Sequence, residues 1–275
     1  MKNPLVSIIM PIYNASLYIH EAIESVLNQT YSNYEFIIID DGSTDQSNKI
    51  IENYHDERII HIRSNHDFIA SLNLGLMKSS GKYIARMDGD DIMLPTRLEV
   101  QVNFMEKNPE IAICGSAAEQ FGDIIGKMPV EKDHNKLKAL MLITNPMIHP
   151  SIIMKKSELG HHVYSKGYDY AEDYKLWTDL AVQGKRFANI PDVLLRYRTS
   201  PKQVSSIHKR TMYMSSLKVQ TEYADNIMES ILNKDNFYFD FFDQSINLCN
   251  NKRISVTSFL HIIYSTYCDY LKLKD

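Results

Sequence analysis

Phe36-Ile37-Ile38-Ile39 runs straight into Asp40-Asp41-Gly42-Ser43-Thr44-Asp45, and Tyr83-Ile84-Ala85-Arg86-Met87 runs into Asp88-Gly89-Asp90-Asp91. Each is a short apolar run with the character of a buried strand, and each ends in carboxylates. In an open α/β sheet, ligands collect at the carboxyl ends of the strands. Two acidic clusters placed there share one crevice. They repel one another unless a cation or a positively charged partner neutralises them. Hard divalent cations take oxygen ligands, and Mg²⁺ is typically held by one or two carboxylates plus substrate phosphates. The residues therefore point to a metal–diphosphate site.

Apolar and helical runs alternate around these stretches. Residues 6–10 read as a buried strand ended by Pro11. Ile19, Ala22, Ile23, Val26 and Leu27 recur at helical spacing, and 35–40 is the next strand. A helix is expected over 45–54, with Asp45 or Ser43 available to cap it. A strand follows at 58–63, then a helix marked by Ile69, Leu72, Leu76 and Met77 and closed near Gly81, then a strand at 82–87. Pro95 opens a helix carrying Leu98, Val102 and Met105, which Asn108-Pro109 stops.

Beyond it lie a strand at 111–114, a hairpin or loop over 116–130, a helix near 133–143 and a strand at 151–154. A helix over 172–183 is followed by short strands at 187–190 and 193–198, separated by Pro191. This alternation predicts a mostly parallel sheet covered by helices. From about residue 204 the acidic motifs cease and the chain turns helical and aromatic-rich. The expected division is a catalytic domain at 1–203 and a helical C-terminal appendage at 204–275.

The bulk properties narrow the function. With 275 residues the chain can bury a large core, and 44% hydrophobic with 23% charged residues is the composition of a soluble globular protein. A net charge of −4 gives no overall basic footprint for nucleic acid. Cys114, Cys249 and Cys268 form no CxxC pair, so they suggest structural thiols and no zinc site. The first residues lack the basic-then-apolar layout of a signal peptide, and no run nears the roughly 18–20 apolar residues that span a bilayer. The expectation is a cytoplasmic protein that touches the membrane surface at most.

Four ordered motifs carry a resemblance. Pro11-Ile12-Tyr13-Asn14, then the DDGSTD stretch at 40–45, then the ARMDGDD stretch at 85–91, then Ala171-Glu172-Asp173-Tyr174 resemble those of family 2 glycosyltransferases over about residues 4–200. Those enzymes are inverting and dependent on nucleotide sugars, and have the GT-A fold. The resemblance implies an α/β, GT-A-like chain with a mostly parallel nucleotide-binding sheet flanked by helices. It implies a nucleoside-diphosphate sugar as donor, UDP-linked by expectation. The acceptor is expected to be a saccharide or a polyprenyl-linked glycolipid, in bacterial surface-polysaccharide assembly.

The same resemblance distributes roles. Asp41 holds the nucleobase, with Tyr13 stacking on it and Pro11 and Asn14 beside it. Asp88 and Asp90 match the DxD motif. Residues i and i+2 of an extended segment share one side, so Asp88 meets the ribose or metal while Asp90 binds the metal, Mn²⁺ or Mg²⁺. Asp91 orients them. Asp173 is the general base, with Glu172 as its neighbour. Arg198, on the same strand face as Arg196, is placed near the diphosphate.

Two departures stand out. The family-type His is missing from the turn at Thr199-Ser200-Pro201-Lys202-Gln203-Val204-Ser205, and Asp67 stands where a Gly often follows Asn65 by two residues.

Other readings of the residues remain. The charge runs could be solvated turns, Glu172 and Asp173 ordinary first-turn acids favoured by the helix dipole, and His149 a core histidine. A phosphatase of the HAD type also uses DxD after an apolar strand, but would leave DDGS and the Glu-Asp pair unexplained. A nucleotidyltransferase or Rossmann dehydrogenase would need Gly-rich loops that are absent. A non-catalytic nucleotide-sugar-binding protein is the remaining rival. In the tail, Phe259, Leu260, Ile262, Ile263, Tyr267 and Leu271 form an apolar stripe with Lys252, Arg253, Lys272 and Lys274 at its ends. It reads first as a packing face and second as a peripheral membrane contact.

Overall fold

The computed structural model describes residues 4–201, 207–232 and 239–272. The expected domain boundary at 203/204, the 202–205 part of the departing turn and Lys274 lie outside them.

The first half builds three βα units. Strand β1 (Val6–Ile12) leads to helix α1 (Ile19–Leu27), β2 (Tyr34–Asp40) to α2 (Ser47–Glu52), and β3 (Ile59–Arg63) to α3 (Phe68–Lys78), before β4 (Tyr83–Arg86). These four strands are parallel and lie in the order β3-β2-β1-β4. Successive strands step outward from β1 to β3, and the chain then returns to the other side of β1. That reversal makes a crevice between the carboxyl ends of β1 and β4. Both faces of β1 are covered, which is why its seven residues are all buried rather than alternating.

The second half closes the sheet with mixed pairing. Short β5 (Ile92–Met93) precedes α4 (Arg97–Lys107), β6 (Ile111–Gly122) and β7 (Gly126–Met128). Helix α5 (His134–Leu140), a 3₁₀ turn at His149–Ser151, β8 (Ile153–Lys155), α6 (Lys156–Leu159), α7 (Glu172–Val182) and β9 (Arg186–Thr199) follow. The full order is β3-β2-β1-β4-β8-β6-β9-β5, with β7 on β6. Strand β8 runs antiparallel to both β4 and β6, and β5 runs antiparallel to β9. Three C-terminal helices complete the described chain: α8 (Lys209–Leu232), α9 (Phe239–Asn250) and α10 (Val256–Lys272).

Several expectations shift at their edges for identifiable reasons. Pro11 does not end β1, which continues to Ile12. On the β4 side the ladder stops with Met87 N–H donating to Ile9 O, so the donor that Pro11 lacks would have had no partner there. Helix α2 starts at Ser47 rather than 45, and no side chain caps its N-terminal residue Gln46. Ser43 is tied to the loop after β1, while Asp45 accepts both from that loop at Ser16 and from the N–H of Ser47 that opens α2. The 116–130 region is a hairpin, with β6 running to Gly122 and paired antiparallel to β7. Pro191 does not split β9, because the ladder absorbs it in a register shift against Ser116 and Ala117.

Two apolar layers sandwich the sheet. One gathers α1 and α4 against Ile8, Met10, Phe36, Ile38, Ala85 and Met87. The other gathers α3, α5 and α7 against Ile9, Ile37, Ile39 and Ile84, and runs on without a break into Tyr223 and Ile227 of α8 and Phe259, Leu260, Ile263 and Tyr267 of α10. The apolar stripe of the tail is therefore spent on protein. Ile262 and Leu271 are half-buried beside it, and Lys252 and Arg253 are exposed. No helix among the described residues is long and apolar enough to cross a membrane.

Candidate active site

The loops after β1, β2 and β4 and the N-terminus of α7 meet at the crevice. The first two loops are stitched together by Asn14, which takes a left-handed φ of 49°. Its Oδ1 accepts from the Thr44 N–H at 2.8 Å, and its own N–H donates to Ser43 Oγ at 2.9 Å. Asp45 accepts from the N–H groups of Ser16 and Ser47. Burial pushes its carboxyl up, but these bonds outweigh it and hold it at about 2. Pro11 is buried in the strand, and Tyr13 projects into solvent, 47% exposed.

Asp40 and Asp41 are both buried. Asp40 Oδ1 accepts from the Ser43 N–H, and its Oδ2 has no hydrogen-bond partner. Asp41 Oδ1 accepts from the Ser71 hydroxyl at 2.7 Å and the Asp67 N–H at 2.9 Å, while Oδ2 lies 3.9 Å from His66 Nδ1. The His66 ring stands 4.2 Å from that of Tyr13, tilted by 36°. The Asn65-His66-Asp67 departure now has a physical account. The left-handed turn falls on His66, φ 48°, whereas Asp67 is extended and caps α3 by accepting from the Ala70 N–H. A glycine at 67 is therefore not needed.

At the end of β4, one carboxylate oxygen each from Asp88, Asp90 and Asp91 lies within 4.8 Å of the others. Gly89 between them is a steric requirement, because a Cβ there would come 2.6 Å from Ile12 Cγ2. Burial, then Asp88, pushes Asp90 up to about 6. Burial and the same neighbours raise Asp91 well above the usual carboxylate range. Asp91 Oδ1 accepts from the Arg198 N–H at 2.8 Å, and its buried Oδ2 has no partner. An all-oxygen donor set from Asp88, Asp90 and Asp91, with a buried Asp91 oxygen left unpartnered, fits a hard divalent cation.

Arg198 is committed to this loop. Its Nε donates to the Asp90 carbonyl at 2.7 Å, its Nη2 donates to Glu21, and its guanidinium lies over Tyr18 and Phe121. Arg196 on the same strand lies 3.9 Å from Glu119.

The Glu172-Asp173 pair opens α7 with both side chains nearly buried. Asp173 Oδ2 accepts from the Asn145 amide at 2.8 Å and Oδ1 from the Tyr174 N–H at 2.7 Å. Burial raises Asp173, and these two donors oppose it. Burial, then Asp173, pushes Glu172 up to about 7. His149 bonds Tyr164 through Nε2 at 2.9 Å and packs edge-on to Trp177. Loss of hydration and the nearby Arg86 hold it well below its ordinary value, which makes it a neutral packing histidine.

Four functional candidates escaped the reading of motifs. Arg86, inside the quoted stretch, puts Nη1 2.5 Å from Asp88 Oδ2, and strand alternation could have paired them two residues apart. Fully buried Arg97 donates to the carbonyls of Pro150, Arg86 and Ile152, fixing β4 to the 3₁₀ turn. Asn145 and Ser71 reach their aspartates from 28 and 30 residues away, and nothing local in the sequence signals either.

Comparison with known proteins agrees with this architecture. An uncharacterized glycosyltransferase of Haemophilus influenzae is 40% identical over 240 residues, covering 81% of this chain and 74% of its own length. The amylovoran biosynthesis glycosyltransferase AmsE of Erwinia amylovora is 29% identical over 208 residues, covering 72% and 78%.

Among solved structures, S. aureus TarS 1-349 in complex with UDP-GlcNAc superposes with a TM-score of 0.67 at 17% identity. That alignment covers 81% of this chain and 66% of TarS 1-349. The mannosyltransferase PcManGT of Pyrobaculum calidifontis, in complex with GDP-Man and Mn²⁺, superposes at 0.59 with 14% identity, over 97% and 87%. At such identities the structures establish the shared GT-A-like fold. Residues 7–167 match the glycosyl transferase family 2 profile, and with the relatives above this makes the chain a member of glycosyl transferase family 2.

Proposed function

We propose that the chain transfers a sugar, with inversion, from a nucleoside-diphosphate sugar to a saccharide or glycolipid acceptor in bacterial surface-polysaccharide assembly. One observation carries the reading. Arg86 touches Asp88, and its charge lowers Asp90 as well as Glu172 and Asp173, acids from two elements far apart in sequence. An inverting transfer needs a donor-holding group and a proton-accepting group at one reacting carbon, and the two acidic sets support that reading.

In this reading Tyr13 and Asp41 receive the nucleobase, with Pro11 and Asn14 shaping the loop around it. Asp88 and Asp90 hold Mn²⁺ or Mg²⁺, and Arg198, which donates to the Asp90 carbonyl, stands near the diphosphate. When bound, the cation neutralises charge that builds on the departing diphosphate. Asp173 takes the proton of the acceptor hydroxyl as oxygen attacks the anomeric carbon, and Asn145 orients that carboxylate. Glu172 sits beside it and tunes its charge. UDP is the proposed carrier, a reading favoured by the TarS complex with UDP-GlcNAc. Residues 204–275 are proposed as a helical appendage that buttresses α7.

A non-catalytic nucleotide-sugar-binding protein would keep Tyr13, Asp41 and Asp90 but would have no use for the buried Glu172-Asp173 pair. A phosphatase would use Asp88 as a nucleophile, whereas here that carboxylate is in contact with Arg86. Incubation with a panel of UDP- and GDP-sugars, Mn²⁺ and candidate acceptors, read by mass spectrometry, tests the proposal. A glycosylated acceptor with stoichiometric nucleoside diphosphate supports it. Donor binding without any transfer favours the binding protein, and release of inorganic phosphate favours the phosphatase.

A further inference from the structure

Strand alternation sends Tyr83, Ala85 and Met87 into the layer under α1 and α4, and Ile84 and Arg86 to the opposite face. Arg86 is 3% exposed there. Its Nη1 lies 2.5 Å from Asp88 Oδ2, yet off the N–H axis, and neither Nε nor Nη1 has an aligned hydrogen-bond acceptor. Its charge opposes the effect of burial at Asp90, Asp91, Glu172 and Asp173. The other guanidiniums nearby are differently engaged. Arg97 donates to Gln101 and to three backbone carbonyls, and Arg198 donates to the Asp90 carbonyl and to Glu21. Burying a guanidinium with two unaligned N–H groups is costly, and here the carboxylates of the site, Asp88 first, offset that cost.

We propose that Arg86 is a positioning residue of the donor site. It is a resident cation that holds Asp88 and competes with the divalent ion for its Oδ2, while its charge attracts the donor's diphosphate. This rests on the reading of Asp88 and Asp90 as the cation holders. It has consequences of opposite sign. Removing the guanidinium charge leaves the cluster one unit more negative, so a bare divalent cation binds more tightly. A nucleoside diphosphate is itself an anion, and it binds more weakly even when the cation is saturating. A residue that only filled space would weaken both on removal.

The experiment uses the full chain with Mn²⁺ and UDP as probes. Free Mn²⁺ is followed by electron paramagnetic resonance, and UDP binding by calorimetry at saturating Mn²⁺. Arg86→Gln should bind Mn²⁺ about tenfold more tightly and UDP about tenfold more weakly, the size expected for one nearby charge in a partly hydrated site. Arg86→Lys keeps the charge but not the reach of the fork. It should retain UDP affinity and bind Mn²⁺ about threefold more tightly. If circular dichroism shows the Gln variant unfolded, the Lys variant decides alone. Mn²⁺ affinity that is unchanged or weaker in a folded Arg86 variant overturns the proposal, with the cation site standing. Wild-type chain that binds no Mn²⁺ overturns the cation site and the proposal together.

Discussion

Asn145 donates its side-chain amide to Asp173 Oδ2 across 2.8 Å, from 28 residues upstream in the chain. With the Tyr174 N–H on Oδ1, the Asp173 carboxylate is held at both oxygens, whereas burial, then Asp173, pushes Glu172 beside it up to about 7. The two acids at one helix start are thus unequal, and in the proposed function the oriented one, Asp173, is the base.

Asp173→Asn should leave UDP binding within about twofold and cut transfer by roughly 10²–10⁴, because a base acts in the transition state rather than in the bound ground state. Asn145→Ala should lower kcat by about tenfold with KM for the donor unchanged, since it loosens the base without touching the donor loops. Steady-state kinetics with calorimetry separates these outcomes. Near wild-type transfer by Asp173→Asn would move the base to another residue.

Cation affinity should fall with acid. Asp90, pushed up to about 6, must lose its proton to ligate, so below about pH 6 Mn²⁺ binding should weaken by up to tenfold per pH unit and level off above pH 7. Asp90→Asn should show weak binding with little slope. A flat profile for the wild type from pH 5 to 7.5 would contradict a ligating carboxyl that titrates near 6.

Glu172 makes a stability prediction whose sign follows from its upward shift. Between its ordinary 4.5 and about 7 the folded chain keeps a proton that the unfolded chain has released. The folded state therefore binds more protons in that window, and this group's contribution to stability falls as pH rises through it. Glu172→Gln should flatten that part of the profile, leaving the mutant relatively more stable at pH 7.5 than at pH 5. Urea denaturation at the two pH values with a cation chelator present reads the effect.

Steric limits at the acidic loop and the tail can be tested directly. Gly89→Ala should cost about 1–3 kcal/mol and weaken donor binding, because the new Cβ meets Ile12 at 2.6 Å and can be relieved only by moving the loop. Ile263→Ala, a large-to-small change in a fully buried position, should cost about 2–4 kcal/mol. An effect of Ile263→Ala below about 0.5 kcal/mol in denaturant midpoints would mean that α10 is not part of the core. If the stripe on α10 stays on protein, adding anionic liposomes should not recruit the folded chain through it.

Much of this fold could be read from the sequence, because its order is local. Three βα units and a fourth parallel strand leave four apolar runs in sequence order, and the acids at 40–45 and 88–91 mark the strand ends themselves. The Pro11 continuation could not be read, since it depends on where the β4 ladder stops. Nor could the fusion of β9 across Pro191, which depends on a register shift against β6. Asp41, Asp88, Asp90 and Asp173 stood out as motifs. Ser71, Asn145 and Arg97 did not, because each is defined only by a partner that the fold brings from far away. Arg86 was visible in its motif, but its importance lies in carboxylates on two separate elements.

The central claim is that Asp88 and Asp90 hold a divalent cation for a nucleoside-diphosphate donor. Calorimetric titration of UDP into the wild-type chain and into Asp90→Asn, each with Mn²⁺ and with chelator, tests it most directly. The account predicts UDP binding at least about tenfold tighter with Mn²⁺ for the wild type, and no such difference for Asp90→Asn. Equal UDP binding with Mn²⁺ and with chelator in the wild-type chain would contradict it.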